Sequence, residues 1–124
     1  MATMKRTIVL LALASVAACS SSGGADYKSV QAIRDKLDKA GVPCTAYEQN
    51  KEVLGAREDG DCKTSGDDQM TITIYDSSDQ RDKIRQAFAT LHSGIDVQGG
   101  AWSVNVATQG EAEQVQKALG GKVR

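Results

Sequence analysis

Five carboxylates, Glu58, Asp59, Asp61, Asp67 and Asp68, crowd the segment around Cys62. Oxygen-rich loops of this kind can hold calcium, and Asp59, Asp61, Asp67 and Asp68 are the candidate ligands of a loop spanning 58–68. The EF-hand order is not met, because Asp59-Gly60-Asp61-Cys62 interrupts it. The competing reading is a solvated acidic loop. Paired carboxylates also cleave glycosides, but a sugar groove wants aromatic platforms, and the chain holds one Trp and three Tyr. The one histidine, His92, stands late in a helical pattern beside Leu91, where a helix C-terminus favours a cation. No G-x-S-x-G, H-E-x-x-H, phosphate-loop or dinucleotide-loop motif occurs. A nucleophile, a base and an orienter are therefore not recognisable as a set. Neither enzymatic activity nor a cofactor is expected.

The remaining candidates are residues that would dock a partner. Tyr75 ends a strand pattern on the same side as Thr71 and Thr73, opposite the apolar Met70, Ile72 and Ile74. Trp102 alternates in phase with Val104 and Val106, so it is either core or an exposed anchor of the kind enriched at interface hot spots. Ser103 and Asn105 occupy the opposite phase. The polar face carrying Thr71, Thr73, Tyr75, Ser103 and Asn105 is the expected docking surface, with Tyr75, Trp102 and Asn105 as partner-binding candidates.

The N-terminus reads as an address. Lys5 and Arg6 precede an apolar run from Ile8 to Ala18. That run is about 11 residues, against the roughly 20 that span a bilayer. A basic start, a short apolar middle and small residues at its end describe an export signal. Val16-Ala17-Ala18-Cys19 resembles the bacterial lipobox at all four positions. The resemblance implies that residues 1–18 are removed, that Cys19 carries lipid, and that the chain is held on the extracytoplasmic face of the cell membrane. A cysteine with two or more acyl chains anchors stably, whereas one chain binds marginally. The stretch 19–25, Cys19 followed by Ser-Ser-Ser-Gly-Gly-Ala, suits a flexible tether.

With Cys19 assigned to lipid, Cys44 and Cys62 remain as an even pair in an exported domain, where thiols tend to be oxidised. A bridge between them would close a loop of about 18 residues and contribute roughly 3 kcal/mol in the chain-entropy model. Zinc spacing and C-x-x-C are both missing.

The elements that must position these residues follow from periodicity. Val30, Ile33, Leu37 and Ala40 recur at helical spacing within 27–40, before Gly41 and Pro43. Strands are expected over 44–48, 56–63 and 69–75. Asp76-Ser77-Ser78-Asp79 can cap a second helix with the stripe Ile84, Ala87, Phe88 and Leu91, stopping near Gly94. A hairpin follows, 95–98 and 101–107 about Gly99-Gly100. A last helix spans 111–119. The expected fold is α+β: a two-layer sandwich, a mostly antiparallel sheet with helices on one face, in the order α-β-β-β-α-β-β-α. Residues 26–124 form one such domain.

Length and charge agree with one small exported domain. The chain has 124 residues, 25% charged and 40% hydrophobic, with a net charge of −1. The missing positive excess disfavours a phosphate-neutralising nucleic-acid binder. The lipobox, the tether and the cysteine pair, with Ala101-Trp102-Ser103-Val104-Asn105-Val106 and Ala118-Leu119-Gly120-Gly121-Lys122-Val123, make the chain similar to small actinobacterial lipoproteins of unknown function. That resemblance implies location and transfers no activity. The expectation is a membrane-anchored, non-enzymatic binding or accessory module with an envelope protein as partner. The alternative is a small-ligand or calcium binder using the acidic loop.

Overall fold

The computed structural model describes residues 26–51 and 53–124. The expected leader, the lipid-bearing Cys19 and the tether to residue 25 lie outside the described residues.

Helix α1 (Val30–Lys39) buries Val30, Ile33 and Leu37 along one face. Ser29 caps it by accepting from the Ala32 amide, and Lys36 and Lys39 stand in its last turn, where the helix dipole favours cations. Strands β1 (Thr45–Gln49), β2 (Ala56–Lys63) and β3 (Gln69–Tyr75) then form an antiparallel meander. Helix α2 (Ser78–Ala87) starts at Ser77, whose hydroxyl accepts from the Gln80 amide. Strands β4 (Ile95–Gly99) and β5 (Trp102–Val106) form the expected hairpin. Gly99 already pairs with Trp102, so the turn falls on Gly100-Ala101, one residue later than the glycine pair suggests. Helix α3 (Gln109–Leu119) opens on a capping box in which Thr108 and Glu111 bond each other's backbone amides.

One element is additional. Lys122–Val123 forms β6 and pairs with β4. Gly121 makes this possible: at φ 85° a side chain there would collide with the Gln98 carbonyl. The sheet order is β1-β2-β3-β5-β4-β6, and every neighbouring pair is antiparallel. The link through α2 carries the chain past β5's place to β4, and β5 returns to pair with β3.

The molecule has the expected α+β class and antiparallel sheet. One sheet face presents Met70, Ile72, Ile74, Val97, Val104 and Val106, all at most 1% exposed. Helices α1 and α3 cover this face and add Ile33, Leu37, Ala112 and Val115 to the same cluster. The disulfide Cys44–Cys62 ties the start of β1 to the end of β2, with Cα atoms 5.2 Å apart.

Three local expectations are corrected. Helix α2 ends at Ala87, seven residues before Gly94. After Phe88 the amides of Ala89 and Leu91 bond carbonyls three residues back, which tightens the chain into turns. Phe88 is 41% exposed and Leu91 79%, so no core draws the helix onward. His92 thus lies beyond the helix. In the expected strand 44–48, Ala46 takes φ 52° at an irregularity between Thr45 and Glu48, which breaks the simple alternation of a regular strand. Trp102 is not an exposed anchor. It is fully buried, with the Tyr27 ring edge-on at 5.3 Å between centroids.

Candidate functional site

Register brings the polar residues of three strands into rows. Thr71 pairs with Asn105 and Thr73 with Ser103 across β3 and β5; Asn105 pairs with Asp96 and Ser103 with Gln98 across β5 and β4. Their side chains share the face opposite α1 and α3, because successive residues of a strand alternate. The five residues expected to share a docking face, Thr71, Thr73, Tyr75, Ser103 and Asn105, all line one cleft of about 610 Å³. Helix α2 and the turns after it supply the opposite wall: Ile84, Arg85, Phe88, Leu91 and His92. A volume of this size lies within the usual range for small-ligand sites.

The cleft has a charged end built around Asp96, whose side chain is 3% exposed. Arg85 Nη2 and His92 Nε2 each approach Asp96 Oδ2 at 3.1 Å. Asn105 Nδ2 donates to Asp96 Oδ1 and to the Ser93 carbonyl, both at 2.8 Å. Those two bonds use both amide protons, although His92 Nε2 is only 3.2 Å from the same nitrogen. In the tautomer that carries Nε2–H, His92 donates a hydrogen bond to Asp96. Gly94 enters β4 at φ 84°, and a side chain there would press on the Val106 carbonyl at 2.6 Å and on Asn105. A glycine is thus required to seat the His92–Ser93 turn against Asn105.

At the centre, the Tyr75 hydroxyl lies 3.4 Å from Ser103 Oγ. Burial pushes the Tyr75 phenol above its ordinary value of 10.0; the Ser103 contact pulls the other way, and the Asp96 and Asp59 carboxylates push it up again. The phenol is a neutral donor and acceptor at ordinary pH. Among the described residues, no hydroxyl or thiol is hydrogen-bonded to His92. The arrangement offers hydroxyls and an amide on the floor, an apolar rim in the half-exposed Phe88 and exposed Leu91, and a carboxylate already neutralised by its donors.

The acidic candidates separate into two groups. Asp59 and Asp61 stand on β2 beside the cleft floor rather than in a loop. Thr73 donates to Asp59 at 2.6 Å, Thr71 to Asp61 at 2.7 Å, and Asn50 Nδ2 bridges both at 2.6 and 3.0 Å. Asp67 and Asp68 belong to the β2–β3 turn, where their backbones bond Thr64 and Asp67 takes φ 64°. Among the described residues, no three His, Cys, Asp or Glu side chains gather as a metal-binding group.

Sequence reasoning missed Arg85 and Asp96, which reach the cleft only through tertiary packing. The signal available was Asp96 itself, a charge in the phase of Asn105 within the hairpin pattern. None of the helices among the described residues is long and apolar enough to cross a membrane. No protein-family model, characterised protein or solved structure matches the chain.

Proposed function

We propose that the chain is an exported, lipid-anchored binding module with no catalytic role, and that its binding surface is the cleft between α2 and the polar face of the sheet. The observation that carries the reading is the cleft's composition. Thr71, Thr73, Tyr75, Ser103 and Asn105 converge under an apolar rim that leaves Leu91 79% exposed. An exposed leucine beside hydrogen-bonding groups is the makeup of a recognition surface, where apolar contact supplies affinity and polar groups set orientation. The lipobox-like Val16-Ala17-Ala18-Cys19 supports the anchor, and the cysteine pair supports an oxidising compartment.

The test is cross-linking of the native chain in its membrane, followed by recovery through a C-terminal tag. An envelope protein is recovered with the native chain and weakened by Leu91→Ser or Asn105→Ala. Leu54→Ser, at a position 77% exposed outside the cleft, leaves recovery unchanged. Recovery that ignores both cleft variants removes the cleft from the reading. Cys19→Ser moves the chain from the membrane to the soluble fraction; a chain that stays bound removes the anchor.

A further inference from the structure

A second, smaller pocket of about 250 Å³ opens where the first turn of α2 meets β4 and β6. Ser78, Arg81, Gln98, Lys122 and Arg124 line it. Lys122 pairs with Gln98 across β6 and β4, and alternation puts Arg124 on the same side as Lys122. Three cations therefore surround one opening at the N-terminal end of a ten-residue helix. The Ser77 hydroxyl satisfies the Gln80 amide. The first two amides of α2, those of Ser78 and Asp79, have no acceptor within the helix.

Gln98 supplies an independent observation. It is 4% exposed, and its Nε2 has no hydrogen-bond partner. Among the described residues, one other buried side-chain nitrogen is unpaired, Arg34 Nε. The Arg34 guanidinium lies 4.0 Å over the Tyr47 ring, which accounts for its burial. Gln98 has no such compensation, and an unpaired buried donor is costly enough to call for a missing acceptor. Arg81 spends four of its five N–H donors on the Gly99 and Gly100 carbonyls and on Asp82, and one Nη2 N–H remains. The Lys122 and Arg124 side chains form no ion pair among the described residues. The carboxylates nearby are Asp82, held by Arg81, Asp26, whose Oδ1 stands over Gly100, and Asp79 in the first turn of α2.

We infer that this pocket is an oxyanion site for a phosphate group, bound by Gln98 Nε2, Lys122, Arg124 and the first amides of α2. A helix N-terminus with cations beside it is a general solution for holding phosphate. A phosphate there would give Gln98 the acceptor it lacks. The source is either a free phosphate-bearing small molecule or a phospholipid headgroup, and the chemistry of recognition is shared. The site is separate from the cleft and does not rest on it.

The experiment is an NMR titration of the full chain in neutral detergent, at constant ionic strength. The probes are inorganic phosphate and, separately, a water-soluble short-chain phosphatidylglycerol, with chloride as control. The Gln98 side-chain amide and the Ser78 and Asp79 backbone amides shift saturably with phosphate and not with chloride. The double variant Lys122→Ala/Arg124→Ala, at exposed positions, weakens binding at least tenfold while leaving the rest of the spectrum in place. Binding of inorganic phosphate alone identifies a free ligand; tighter binding of the short-chain lipid identifies the headgroup. Linear, unsaturated shifts with both probes, or shifts unchanged in the double variant, overturn the proposal.

Discussion

Arg85 and Asp96 meet at 3.1 Å across a steep gradient of exposure: the Arg85 side chain is 25% exposed and that of Asp96 only 3%. The Asp96 backbone is fixed as well, exchanging bonds with Arg124 at 3.0 and 2.7 Å. The carboxylate is thus an immobile part of the sheet, and α2 is tied to it. Arg85→Ala is expected to cost about 2 kcal/mol. That lies between the ~1 kcal/mol of an exposed pair and the ~3–5 kcal/mol of breaking a buried one. Urea denaturation measures it. The double variant Arg85→Leu/Asp96→Leu is expected to lose less than the sum of its single changes, as coupled neighbours do.

Reducing the Cys44–Cys62 bond is expected to lower stability by roughly 3 kcal/mol, since the bridge spans 18 residues. The midpoint of thermal unfolding falls on adding reductant, and the double variant Cys44→Ala/Cys62→Ala reproduces the fall without it. A midpoint indifferent to reductant would show that the bridge leaves stability unchanged.

Trp102 is the chain's one tryptophan and is completely buried. Its fluorescence should be blue-shifted and protected from iodide until the chain unfolds. Trp102→Ala is expected to cost about 3–5 kcal/mol, the range for removing a large aromatic from a core. A red-shifted, freely quenched native spectrum would return Trp102 to the surface.

The start of α3 carries a pH dependence of definite sign. Burial alone would raise the Glu111 carboxyl, but hydrogen bonds from Thr64, Thr108 and the Thr108 and Ala107 backbone hold it below the ordinary 4.5. A depressed folded value means that the unfolded chain binds the proton first. The contribution is therefore complete above 4.5 and is lost as pH falls through the folded value. Glu111→Gln should remove that part of the acid-side slope in urea denaturations between about pH 7 and pH 3. Thr108→Ala, which removes the cap itself, is expected to cost about 1 kcal/mol.

What the sequence made legible tracks the length and regularity of each pattern. The strand Gln69–Tyr75 alternates without interruption, and its bounds agree with the structure. The polar face was legible for the same reason. Alternation puts Thr71, Thr73 and Tyr75 on one side, though it cannot say that α2 lies across them. Phe88 and Leu91 continue the helical stripe of Ile84 in sequence, so the length of α2 was overread; a stripe predicts burial only where a surface waits to receive it. Trp102 was ambiguous because alternation divides two faces without saying which is covered. Two residues carry no period, so β6 gave no signal. Asp59 and Asp61 fall both in the expected strand 56–63 and in the acidic run 58–68, because Gly60 between them has no apolar side chain to strengthen the strand pattern; the Tyr47 ring occupies the space a side chain there would need.

The two borders of the sheet have a shared consequence. At one, β1 is kinked at Ala46 and stapled at Cys44; at the other, β6 offers only two residues. An open strand invites a neighbouring molecule to extend the ladder, and irregular, short or cross-linked borders refuse it. Copies of this domain can therefore be held at high local density without fusing their sheets, so self-association would have to run through side chains rather than backbone.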